Sequence, residues 1–105
     1  MKYGTMYKFG DIILAQVQYT DTFEVKTRPC LVLFEDYGNV VVAGITSNTK
    51  MKGVLITKKE GLPKDSVVKL NYIFTISEKM AIKRLAQISN EKKEIINNKF
   101  VDKLI

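Results

Sequence analysis

Between Gly10 and Ile88 the apolar residues of this chain come only in short, β-branched bursts, each closed by polar or turn-forming residues. No burst has the length or the 3.6-residue period of a helix, so the segments read as strands. They are predicted over 10–19, 29–34, 40–46, 54–57, 66–70, 72–76 and 84–88, with Asn71 as a bend between the fifth and sixth. The polar stretches 20–27, 47–53 and 58–65 read as loops, and 77–80 as a single helical turn. Asp36-Tyr37-Gly38-Asn39 has turn chemistry between two apolar runs and predicts a hairpin. Only after Ser89 does the spacing change. Ser89 can cap a helix, and Ile96, Phe100 and Leu104 recur four residues apart with Val101 beside them. Six or seven short strands and one terminal helix predict a mainly β fold, a small and strongly curved antiparallel sheet or barrel, in one domain spanning 1–105.

A chain of 105 residues can build one core without metal or disulfide staples. Its 46% apolar and 27% charged residues are those of a globular protein, and no apolar run approaches the length of a membrane span. The opening MKYGTMYKFG lacks the apolar stretch of a secretion signal, and a single cysteine forms no internal disulfide; a cytoplasmic protein is expected.

Histidine is absent altogether, which removes His-based triads, His metal sites and imidazole acid–base pairs. One Cys without His leaves no zinc site, so neither a metal nor a cofactor is expected. The formal charge is +6, which points toward a polyanionic or acidic partner, although lysine in such abundance also simply solubilises a surface. Only Arg28 and Arg84 offer the planar fork suited to phosphate.

Arg28 stands where a polar loop meets an apolar strand, and Pro29 biases its backbone toward an extended conformation. The guanidinium can stabilise charge developing on a phosphoryl oxygen; the competing reading is a surface ion pair with Glu24 or Asp21. Thr46 closes the return strand of the hairpin, where its hydroxyl can meet a phosphate oxygen or a ribose 2′-OH, or serve only as a strand-forming residue. Cys30, inside an apolar run and with no histidine to activate it, reads as a buried inert thiol. Lysines on the 47–64 loops can attract phosphate, and Tyr19, Phe23, Tyr37, Tyr72 and Phe74 can stack on bases. Of these aromatics, Tyr37 and Phe74 read better as turn or core residues.

The ordered set of motifs resembles the MazF/PemK/Kid toxin family. Gly10-Asp11-Ile12-Ile13-Leu14, Tyr19-Thr20-Asp21 and Lys26-Thr27-Arg28-Pro29-Cys30-Leu31-Val32-Leu33 are similar to its first half. Val42-Ala43-Gly44-Ile45-Thr46-Ser47, Gly61-Leu62-Pro63-Lys64-Asp65-Ser66-Val67-Val68 and Arg84-Leu85-Ala86-Gln87-Ile88-Ser89 resemble its later segments, so the likeness covers about 8–105. The resemblance implies an SH3-like barrel with a C-terminal helix, a homodimer and an acidic antitoxin partner. It further implies a metal-independent endoribonuclease that cuts single-stranded RNA by attack of the ribose 2′-OH, leaving 2′,3′-cyclic phosphate and 5′-OH ends. On that likeness Arg28 and Thr46 are the catalytic residues, and Thr20, Phe23, Lys26, Ser47, Lys50, Lys69, Asn71 and Tyr72 are expected to bind RNA. The chain departs from the family pattern at Asn71, Tyr72 and Phe74, which stand where an acid, a Gln and an Arg are usual. Arg84 replaces the usual glycine lead-in, and the loop before Arg28 has no glycine. These departures keep a second reading in play, a non-catalytic relative that binds RNA or poisons a protein target such as gyrase.

Overall fold

A computed structural model describes residues 6–18 and 24–105. Six strands form one curled antiparallel sheet, a half-barrel, followed by a single α-helix. In chain order they are β1 (Asp11–Gln18), β2 (Val25–Asp36), β3 (Asn39–Thr46), β4 (Val54–Ile56), β5 (Ser66–Ser77) and β6 (Ala81–Gln87), with helix α1 at Asn90–Leu104. Across the sheet the order is β4-β5-β3-β2-β1-β6.

The unbroken apolar runs have a direct cause: the sheet buries residues on both faces. Ile12, Leu31, Ala43, Val68 and Ile88 pack on one side with Ile96 of α1, whereas Ile13, Cys30, Val32, Val42 and Ile76 form a second cluster on the other. Adjacent residues such as Ile12 and Ile13 therefore both vanish from solvent. The hairpin forms as predicted. Asp36 pairs with Asn39, and the two residues between them, Tyr37 (φ 49°) and Gly38 (φ 81°), are left-handed, the combination a type I′ turn needs. Tyr37 is thereby fully presented to solvent, a turn residue rather than a core one.

Several boundaries differ from the sequence reading. Residues 25–27 are strand, not loop, and run on into Arg28: Val25, Lys26, Thr27 and Arg28 pair with Gln18, Val17, Gln16 and Ala15 of β1. The two expected segments on either side of Asn71 are one bent strand, β5. β6 starts at Ala81 rather than Arg84, because β1 is long enough to pair back to Ala81 through two register shifts. A 3₁₀ turn at Lys58–Glu60 lies inside the expected 58–65 loop. Its cause is a capping box, in which the Thr57 side chain accepts from the Lys59 N–H while Glu60 Oε2 accepts from the Thr57 N–H at 2.9 Å. The helical turn at Glu78–Met80 and the Ser89 cap of α1 occur as predicted, but the apolar stripe runs out along the helix: Ile96 is buried, Phe100 half-buried and Leu104 exposed. Among the described residues no helix is long and apolar enough to cross a membrane.

Candidate functional site

The β2–β3 ladder ends at the pair Cys30–Gly44. Beyond it β2 continues against β1, with Pro29 opposite Leu14 and Arg28 opposite Ala15, while β3 continues against β5, with Ile45 opposite Val68 and Thr46 opposite Val67. The two strands thus part company two residues short of Arg28 and Thr46. Pro29, which has no N–H to offer a ladder, sits at the divergence. A cleft of about 660 Å³ opens there, and Arg28 and Thr46 stand on its facing lips.

The third wall comes from a bulge in β5. Gly44 pairs with Lys69 whereas its neighbour Ala43 pairs with Ile73, so residues 70–72 have no partner in the β3 ladder. Leu70 dips into the core, Asn71 faces solvent and the Tyr72 ring lies across Gly44. The glycine is what admits the ring, since a Cβ at position 44 would fall 2.7 Å from Tyr72 Cδ2. Lys69 Nζ sits 5.3 Å from the centroid of the same ring, within cation–π range. The far rim is Leu62, Pro63 and Lys64. It is braced by the capping box beside it and by Asp65, whose carboxylate accepts the Lys58 N–H at 3.0 Å.

Charge in the cleft has one sign. Among the described residues its lining contains Arg28, Lys64 and Lys69 and no carboxylate. The Arg28 guanidinium donates to the Thr27 carbonyl at 3.2 Å and has no ion pair among the described residues; Glu24 instead meets Lys26 at 3.3 Å. Thr46 Oγ1 accepts the Asn48 N–H at 3.2 Å, which uses a lone pair and leaves the hydroxyl proton free to be donated outward. Cys30 lies beneath, and burial pushes its thiol up to about 12, the inert group the sequence implied. Among the described residues no three or more His, Cys, Asp or Glu side chains converge as for a metal ion.

Of the expected site residues, the cleft gathers Arg28, Thr46, Ser47, Lys69 and Tyr72. Lys26, Lys50 and Asn71 do not line it: Lys26 is beside Glu24, Lys50 is in the exposed loop after Asn48, and Asn71 caps the outside of the bulge. Thr20 and Phe23 lie outside the described residues. Lys64, at the end of the 47–64 loops, and Phe74, which the sequence favours as a turn or core residue, also line the cleft. Lys64 follows Leu62-Pro63 in the 61–68 segment that carries part of the family likeness; Phe74 alternates with Tyr72 on one side of β5 and stands 5.2 Å from it, ring centre to ring centre. The second arginine has a different role altogether. Arg84 Nη2 reaches the buried Asp11 carboxylate at 3.0 Å, which also accepts from the Lys8 N–H and from the Gln87 amide.

Comparison with known proteins agrees with this architecture. The Mycobacterium tuberculosis toxin MazF-mt6 is 27% identical, superposes with a TM-score of 0.67, and is matched over 87% of this chain and 96% of its own. The fold is shared with an endoribonuclease of a mycobacterial species, solved in complex with its cognate antitoxin, at 16% identity and a TM-score of 0.71 over 93% of this chain and 92% of that one. It is shared also with the MazE–MazF structure from Deinococcus radiodurans, at 15% identity and 0.73 over 96% and 97%. The sequence model of the PemK-like, MazF-like toxins of type II toxin–antitoxin systems matches residues 8–104, nearly the whole chain, and the protein therefore belongs to that family.

Proposed function

We propose that this family member is a metal-independent endoribonuclease that cuts single-stranded RNA. The observation that carries the reading is the placement of Arg28 and Thr46 on facing lips of a cleft whose lining is cationic and free of carboxylates among the described residues. A phosphodiester drawn into such a cleft meets fixed positive charge from Lys64, Lys69 and Arg28. In the reaction the ribose 2′-OH gives up its proton to water as O2′ bonds to phosphorus, and the P–O5′ bond breaks with O5′ taking a proton from water, giving a 2′,3′-cyclic phosphate and a 5′-OH. Negative charge grows on the non-bridging oxygens as the pentacoordinate phosphorus forms, and the Arg28 fork neutralises it. The outward Thr46 hydroxyl donates to one of those oxygens and fixes the phosphate between the lips. An acidic antitoxin covering the cleft would complement its charge, and the reading includes a homodimer acting in the cytoplasm.

The test is cleavage of a long single-stranded RNA in EDTA, with end-group analysis. Discrete cuts bearing 2′,3′-cyclic phosphate are expected, lost by about 10³-fold in Arg28→Ala and about 10²-fold in Thr46→Val, on the scale of deleting an oxyanion donor. A folded Arg28→Ala protein that still cuts would remove the catalytic assignment. RNA bound but left intact by the unaltered protein would favour the non-catalytic alternative.

A further inference from the structure

A second cavity, of about 460 Å³, adjoins the cleft, and Tyr72 and Phe74 line both. Their rings, tilted by 44°, form the partition between the two spaces. The two cavities differ in chemistry. The cleft is cationic; the second is neutral, its lining free of Lys, Arg, Asp and Glu among the described residues. Val17 and Met80 give it an apolar floor, and the Gln16 and Gln18 amides stand at its edge. Both glutamines are exposed and neither side chain is hydrogen-bonded to another described residue, so each amide keeps a donor and an acceptor available. Its volume lies within the range of small-molecule sites.

This division repeats that of a nucleotide, charged at the phosphate and flat, neutral and edge-polar at the base. Single-stranded RNA is recognised by splaying a base onto an aromatic ring and reading its edge with hydrogen bonds. We infer that the second cavity is a nucleobase subsite. It takes the base next to the phosphate held at Arg28, stacked on the Tyr72–Phe74 partition with its edge toward Gln16 and Gln18. The inference rests on the RNA-cleaving reading and adds where that cleavage acquires its sequence preference.

The experiment uses the full chain, Tyr72→Leu and a Gln16→Ala/Gln18→Ala double variant. Cut sites in a long mixed-sequence RNA are mapped by end sequencing. Affinity is measured separately for an all-DNA single strand of the cut sequence, which lacks the attacking 2′-OH. Tyr72→Leu is expected to weaken binding of the DNA strand roughly 5- to 150-fold, the range for losing one stacked base. The glutamine double variant is expected to flatten base preference at one position beside the cut and leave preference elsewhere intact. All three altered side chains are exposed, and a thermal melt verifies folding; should Tyr72→Leu not fold, the glutamine variant alone decides. Unaltered cut-site preference and affinity in folded variants, beside an unmodified chain that cuts, would overturn the subsite and leave the ribonuclease standing. Tyr72-dependent binding without any cutting would do the reverse. An unmodified chain that binds neither RNA nor the DNA strand would overturn both.

Discussion

The two arginines of this chain predict opposite phenotypes, and Arg84 is the sharper test of the physical reasoning. Its partner Asp11 has a side chain only 1% exposed and receives three donors: Arg84 Nη2, the Lys8 N–H and the Gln87 amide. Arg84→Met keeps much of the aliphatic stem but leaves the carboxylate charge with two neutral donors. Breaking a buried ion pair from one side costs about 3–5 kcal/mol. Here the Arg84 side chain is 48% exposed, so solvent already screens part of the attraction, and about 2–3 kcal/mol is the expected loss. In urea, at a slope of about 1.2 kcal/mol/M, the unfolding midpoint should fall by roughly 2 M. Asp11→Asn should cost less, about 1–2 kcal/mol, because the liberated guanidinium can turn to water. The double variant Asp11→Asn/Arg84→Met should then be more stable than the sum of the two losses implies, by about 1 kcal/mol or more. Cleavage per folded molecule is expected to persist in Arg84→Met, since Arg84 is not among the residues lining the cleft. A midpoint shift below about 0.4 M, or strictly additive losses, would refute the claim that this pair neutralises a buried charge.

The remaining predictions concern the thiol beneath the cleft and the glycines. Burial raises Cys30 from 9.0 to about 12, so the unfolded thiol ionises first and stability is lost as pH rises past about 9. The lead of the native protein over Cys30→Ala should shrink by about 1.4 kcal/mol for each pH unit between about 9 and 12, measured by denaturant titration at each pH; a constant difference would show the thiol is not held neutral. At Gly53 (φ 155°) a Cβ would fall 2.1 Å from the Val68 carbonyl oxygen, so Gly53→Ala should cost about 2–3 kcal/mol and loosen the β4–β5 pairing, visible as faster amide exchange there. At Gly38 (φ 81°) nothing lies within 4 Å, and Gly38→Ala should cost only the left-handed strain of about 1 kcal/mol; equal losses at the two sites would argue against the close approach at Gly53.

Much of the scaffold was legible because its elements are locally encoded. The Asp36–Asn39 turn, the Ser89 cap and the strand cores each rest on a few neighbouring residues. What was hidden depended on partners far along the chain. Lys26 and Thr27 look like loop residues, and only the opposing Val17 and Gln16 make them strand. The four-residue spacing of Ile96, Phe100 and Leu104 marks a helix face but not how far the sheet extends beneath it. At the site, Arg28 and Thr46 were found through motif likeness, whereas their meeting depends on a ladder that stops at Cys30–Gly44. Pro29 and the loop–strand junction single out Arg28 locally, but nothing near Arg84 reveals its role; what assigns it to the framework is the buried carboxylate of Asp11, far earlier in the chain. Asn71 sat in a plausible motif position, yet the bulge turns it outward.

That bulge also separates heredity of fold from heredity of target. Residues 70–72 answer to no opposite strand in the β3 ladder, and Leu70 pins the excursion in the core so that the sheet does not feel what its neighbours become. Asn71 and Tyr72 can therefore be exchanged while the pairs at Lys69 and Ile73 stay in register. A lineage could retune what the cleft meets by a point change at Tyr72, long before any strand had to be rebuilt.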